Sequence, residues 1–246
     1  MLVVGWLGAA CGGSEKRAPP APRPALPGPA ILFVGNSLTD ANDLPGMVEG
    51  LAAAAGVTLP TAQVAIPNYS LGDHLADGEA PDAIAAGGWR VVILQQGPSG
   101  QPDSRIQLRD DAAAFDALVR AAGARTALFS VWADSQGPST FEQVRASYSL
   151  AAANVGAIYF PVNEAWSLAW ERKPALDLYS ADGFHPAVEG SYLAALVITG
   201  MLTGIPPTQL PATFTPPRRG QVIIDAADAS VLRDSAAAAI ASFGRR

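Results

Sequence analysis

Five short apolar runs punctuate the chain: Ile31 to Val34, Gln63 to Ile66, Arg90 to Gln95, Thr126 to Trp132 and Ala157 to Val162. Each has strand length, and several are apolar at successive rather than alternate positions, the pattern of strands buried on both faces. Between and after them lie stretches of helical composition, many rich in alanine: Leu44 to Ala55, Pro81 to Ala86, Ser104 to Ala122, Thr140 to Asn154, Val188 to Thr203 and Asp225 to Ser242. Repeated strand–helix alternation predicts an α/β fold in which a central, mainly parallel five-stranded sheet is covered on both faces. Ligands of such sheets gather beyond the carboxyl ends of the strands, so each strand exit is a candidate site.

Two segments precede the first strand. Residues 1–13 run from apolar to small and flexible, too short for the roughly 20 apolar residues that span a bilayer but suited to the core and cleavage site of a signal peptide. Cys11 is the single cysteine, so no intramolecular disulfide can form. Its position after small residues resembles a bacterial lipoprotein box, in which Cys11 would become the lipid-modified first residue of the mature chain; an ordinary signal peptide and a disordered leader are the other readings. Residues 14–29 are a Pro/Ala-rich linker, which proline keeps extended. Residues 30–246 have the size of one domain with a substantial core.

Chemistry concentrates at two places. The first run ends abruptly in Gly35-Asn36-Ser37, a sharp exit that presents a serine at a strand's carboxyl end, with Asp40, Asn42 and Asp43 offering caps for the helix beginning near Leu44. Strand, serine and helix is an arrangement that exposes a nucleophile near backbone N–H donors; an ordinary strand-to-helix turn has the same local pattern. Far downstream stands Asp182-Gly-Phe-His185-Pro186, holding one of the chain's two histidines. A serine hydroxyl is a poor nucleophile until a base takes its proton, and an imidazole held by a carboxylate is the usual device.

Gly35-Asn36-Ser37-Leu38 and Asp182-x-x-His185-Pro186, in this order and at this separation, resemble the first and last blocks of the SGNH/GDSL hydrolases, over roughly Ala30 to Gly204. The resemblance implies a flavodoxin-like three-layer sandwich and a serine esterase or lipase whose nucleophile, base and acid are Ser37, His185 and Asp182. It implies an oxyanion hole formed by the N–H groups of Ser37 and Gly72. Where most of the superfamily has Gly-x-Asn after the third strand, this chain has Gln95-Gln96, so a glutamine amide, Gln95 or else Gln96, is expected to donate there. His74, beside Asp73, is a rival base whose alternative reading is structural. Trp89 reads as core, whereas Trp132 could be core or, near Asp134 and Glu164, a sugar-facing aromatic.

Charge and the missing motifs narrow the rest. A formal net charge of −6 argues against nucleic acid as a partner. No ligand spacing for a metal, no phosphate loop and no dinucleotide fingerprint follow from the sequence, so no cofactor and no metal is expected. The combined expectation is an exported serine hydrolase, secreted or anchored at a membrane through a lipid, that cleaves a short-chain or glycan-borne carboxylic ester through an acyl-enzyme. An acyltransferase on the same triad and a non-catalytic surface glycan-binding module are the alternatives.

Overall fold

The computed structural model of the chain describes residues 30–244; Cys11, the segment 1–13, the linker 14–29 and residues 245–246 lie outside the described residues. The five expected strands are β1 (Ala30–Gly35), β2 (Thr61–Ala65), β3 (Trp89–Leu94), β4 (Arg125–Phe129) and β5 (Ile158–Phe160). They form one sheet in the order β2-β1-β3-β4-β5, every pair parallel, the flavodoxin-like order. β1, β3 and β4 occupy interior positions, and all six residues of β1 are buried. The register aligns Gly35 with Ala65 and Val34 with Leu94, so the carboxyl ends of β1, β2 and β3 open onto one rim.

The helices are α1 (Ser37–Asp40), α2 (Leu44–Ala54), α3 (Leu71–Asp77), α4 (Glu79–Ala85), α5 (Pro102–Ala121), α6 (Phe141–Val155), α7 (Val162–Arg172), α8 (Val188–Thr203) and α9 (Ala226–Phe243). α2, α8, α9 and α7 pack successively on one another, while α3 to α6 form the second helical group, consistent with crossovers on both faces of the sheet. Every residue of α8 from Gly190 to Met201 is buried, as befits a helix apolar on all sides and enclosed by its neighbours. Among the described residues no helix is long and apolar enough to cross a membrane.

α1, α3 and α7 depart from the expected pattern, as does a small antiparallel pair, β6 (Thr213–Phe214) with β7 (Val222–Ile223). The signals for two of them are present. Ser70-x-x-Asp73 is a capping box that starts α3, with Ser70 Oγ accepting from Asp73 N and Asp73 Oδ2 accepting from Ser70 N. Val162, Ala165, Trp166 and Ala169, spaced i, i+3, i+4, i+7, are the buried stripe of α7. The run Thr126 to Trp132 leaves the sheet after Phe129, where Ser130 O and Ser130 Oγ both accept from the Asn163 N–H at 3.1 Å. Ser130 to Trp132 stay fully buried but belong to the loop above the sheet.

Candidate active site

The turn after β1 is built by close approach. A Cβ on Gly35 would collide with Thr39 Oγ1 and Gln95 Oε1, so only glycine lets Gln95 reach the chain here. Asn36 caps α1: its Oδ1 accepts from Leu38 N at 3.1 Å and from Gln95 Nε2 at 2.9 Å, while its Nδ2 donates to Tyr69 O at 3.0 Å. Its backbone N–H donates to Gln95 Oε1 at 3.0 Å. Ser37 is therefore the first residue of α1, a position whose N–H has no acceptor inside the helix.

The base and acid arrive on the loop before α8. His185 Nε2 lies 2.9 Å from Ser37 Oγ, and His185 Nδ1 lies 2.6 Å from Asp182 Oδ2. Asp182 Oδ1 accepts from Ser180 Oγ at 2.8 Å, His185 N at 2.9 Å and Phe184 N at 3.0 Å. The bond to His185, followed by those from the Phe184 amide and the Ser180 hydroxyl, holds the Asp182 carboxyl well below the usual carboxylate range. An ionised carboxylate can only accept, so Nδ1 carries the imidazole proton and the Nε2 lone pair faces the serine hydroxyl. The loop itself is clasped by the exit of β4: Trp132 Nε1 donates to Phe184 O at 2.7 Å, Ser135 N to Gly183 O at 3.0 Å, and the Tyr179 hydroxyl to Ala133 O.

Other expected site residues lie elsewhere in the hydrogen-bond network. Gln95 is fully buried and does not fit the oxyanion role expected of it, because Nε2 donates its two hydrogens to Asn36 Oδ1 and to Gln96 O at 2.6 Å. Gln96 is the freer amide: Oε1 accepts from Leu71 N at 3.0 Å and Nε2 donates to Ser99 Oγ at 2.8 Å, leaving one hydrogen. Gly72 stands beside α5, where a Cβ on it would come within 2.9 Å of Asp111 Oδ2, and burial pushes the Asp111 carboxyl up against the lowering influence of the Gly72 backbone. His74 is fully buried, its Nε2 2.8 Å from Gly35 O and its Nδ1 without a partner, so it braces β1 and does not face Ser37.

The tryptophans settle into packing. Trp132 and Trp166 are fully buried and stack on each other with centroids 4.1 Å apart, so neither ring offers a face to a sugar. Glu164, also buried, accepts from Tyr159 Oη at 2.8 Å and Ser130 Oγ at 3.2 Å, and burial pushes its carboxyl up. Among the described residues no group of three or more His, Cys, Asp or Glu is arranged to hold a metal ion.

No family model and no curated relative matches the chain. Solved structures do. A DUF4886 family protein from Bacteroides uniformis superposes with a TM-score of 0.70 at 20% identity, covering 88% of this chain and 96% of that one. A candidate SGNH hydrolase from Slackia heliotrinireducens gives 0.59 at 27% identity, covering 72% of this chain and 100% of its own. An acetyl-xylooligosaccharide esterase from Geobacillus gives 0.52 at 17% identity over 70% and 92% of the two chains. The chain has the α/β fold of the SGNH/GDSL hydrolases.

Proposed function

We propose that the chain is a serine hydrolase that cleaves a carboxylic ester through an acyl-enzyme, with Ser37 as nucleophile, His185 as base and Asp182 as the acid that orients it. The observation carrying this reading is the unbroken relay from Ser37 Oγ to His185 Nε2 at 2.9 Å and from His185 Nδ1 to Asp182 Oδ2 at 2.6 Å. As Ser37 Oγ bonds to the ester carbonyl carbon, its proton passes to Nε2 and the carbonyl electron pair moves onto oxygen. Asp182, ionised, stabilises the imidazolium that results. The Ser37 N–H and the uncommitted Gln96 amide hydrogen are the oxyanion donors proposed here, each worth about 3 kcal/mol of barrier in comparable sites. Collapse of the tetrahedral species breaks the bond to the alkoxide, which takes the proton from His185; water then repeats the cycle and releases the acid.

A short-chain or acetylated-glycan ester is the substrate class proposed, in keeping with the fold shared with an acetyl-xylooligosaccharide esterase. Export, with Cys11 as lipid anchor, is proposed from the residues at 1–13 alone. Chromogenic esters of increasing acyl length, offered to wild type and Ser37→Ala, test the reaction. Wild type should turn over the short esters and be labelled at Ser37 by a serine-directed phosphonate. Turnover surviving in Ser37→Ala would sink the reading.

A further inference from the structure

His185 needs help to stay in place. Its side chain is 38% exposed, so packing alone does not hold the imidazole, and its partner Ser37 lies 148 residues away in sequence. The backbone around it is instead held by hydrogen bonds to three consecutive carbonyls. Phe184 O receives Trp132 Nε1, His185 O receives Ser180 N at 2.8 Å, and Pro186 O receives Asn42 Nδ2 at 3.0 Å. Of these donors only Asn42 stands on the turn that follows Ser37.

Asn42 is built for that reach. It has φ 58° and ψ 16°, and Asp43 after it has φ 55°, two successive left-handed residues in a chain of L-amino acids. Asparagine and aspartate tolerate that region best among residues with a side chain. The second Nδ2 hydrogen goes to Ser191 Oγ at 3.0 Å, on the first turns of α8, and Asn42 O accepts from Arg219 Nη1 at 2.7 Å. The amide's orientation is unambiguous, because a proline carbonyl can only accept. Asp43 is secured separately, by Gly46 N at 3.0 Å and Arg218 Nη2 at 3.1 Å.

We propose that Asn42 is a positioning residue for the reaction: its side-chain amide ties the nucleophile's turn to the backbone beside His185 and so fixes the separation of hydroxyl and imidazole. The inference rests on the ester-hydrolase reading. Catalytic geometry is steep in distance, a misplacement of about 1 Å costing on the order of a hundredfold. If the asparagine served only to adopt a left-handed turn, glycine would serve at least as well. That difference makes the role testable.

Asn42→Gly keeps the backbone conformation accessible and deletes both donors. It should lower kcat on a chromogenic short-chain ester by roughly ten- to a hundredfold, with KM within about twofold and the melting temperature within a few degrees. Asn42→Asp, which also tolerates the turn, places a carboxylate oxygen against Pro186 O and should lose more. In a His185→Ala background the further effect of Asn42→Gly should shrink to less than about twofold, since there is no imidazole left to position. A kcat for Asn42→Gly within about threefold of wild type overturns the proposal, as does an undiminished loss in the His185→Ala background. Failure of both Asn42 variants to fold would make the residue structural and overturn it too. Turnover in Ser37→Ala would instead remove the hydrolase reading, and the two failures are thereby distinguished.

Discussion

Gln95 and Asn36 grip each other twice: Gln95 Nε2 donates to Asn36 Oδ1 at 2.9 Å, and Asn36 N donates to Gln95 Oε1 at 3.0 Å. Thr39 Oγ1 adds a third bond to Gln95 Oε1 at 2.7 Å. The end of β3 is thus fastened to the residues on either side of Ser37. A leucine at 95 would strand the Asn36 N–H and the Thr39 hydroxyl, each a buried group whose lost partner costs about 1–3 kcal/mol, while Asn36 Oδ1 keeps Leu38 N. Gln95→Leu should therefore lower both stability, by a few kcal/mol on that scale, and activity. Gln96→Glu should behave differently, because a carboxylate can still accept from Leu71 N but cannot donate to an oxyanion. Its kcat should fall at least about tenfold, and because Gln96 is buried the carboxylate costs stability as well; ester kinetics per folded molecule, with the folded fraction read from urea melts, separate the two roles.

Identifying the base requires comparing the histidines. His185→Ala should lose at least about a thousandfold in kcat/KM, on the scale of triad deletions, and His74→Gln less than about thirtyfold. Asp182→Asn should fall between them: the asparagine keeps an acceptor for the Ser180, Phe184 and His185 donors but turns an N–H toward Nδ1, favouring the wrong tautomer. An inactive His74→Gln beside an active His185→Ala would move the base to α3.

His74 also predicts a pH effect on stability. Burial lowers its pKa below 6.5 against the raising influence of Gly35 O and of Asp77, Asp73 and Glu79, so the folded chain keeps it neutral. Below pH 6.5 the unfolded chain binds a proton that the folded chain does not, and stability falls as pH drops from 6.5 toward the folded value. The loss sets in as pH falls through 6.5 and ends below the lowered folded value. His74→Gln, able to keep the bond to Gly35 O without titrating, should lose less over that interval; parallel melting curves of equal slope would refute the assignment.

Trp132→Phe keeps an aromatic ring on Trp166 but removes the donor to Phe184 O. The expected result is a several-fold drop in kcat, from a looser His185 loop, with KM unchanged. A defect confined to KM would point to substrate contact instead.

Cys11→Ser tests the proposed anchor. In a bacterial host with its export machinery the full chain should sediment with membranes and the variant should not. Wild-type protein found free in the cytoplasm with Met1 attached would rule the anchor out.

The strand–helix alternation, Ser37 at a strand exit and the short Asp182–His185 spacing were legible in the sequence, because burial on both faces and local spacing leave their mark in consecutive residues. Helix α3 was legible in principle through Ser70 and Asp73, and α7 through its stripe from Val162 to Ala169. What only the tertiary structure decided is which polar group meets which across the chain. Gln95 and Gln96 are neighbours of the same type at one strand end, yet one has its amide wholly committed to Asn36 and Gln96 O while the other retains a hydrogen. Asn42 looked like a cap for α2, a role Asp43 fills, while its amide reaches Pro186. A sequence carries the residue types and their local spacing; hydrogen bonds between residues 59 or 144 positions apart depend on how the sheet and helices bring those residues together, and no local pattern encodes that.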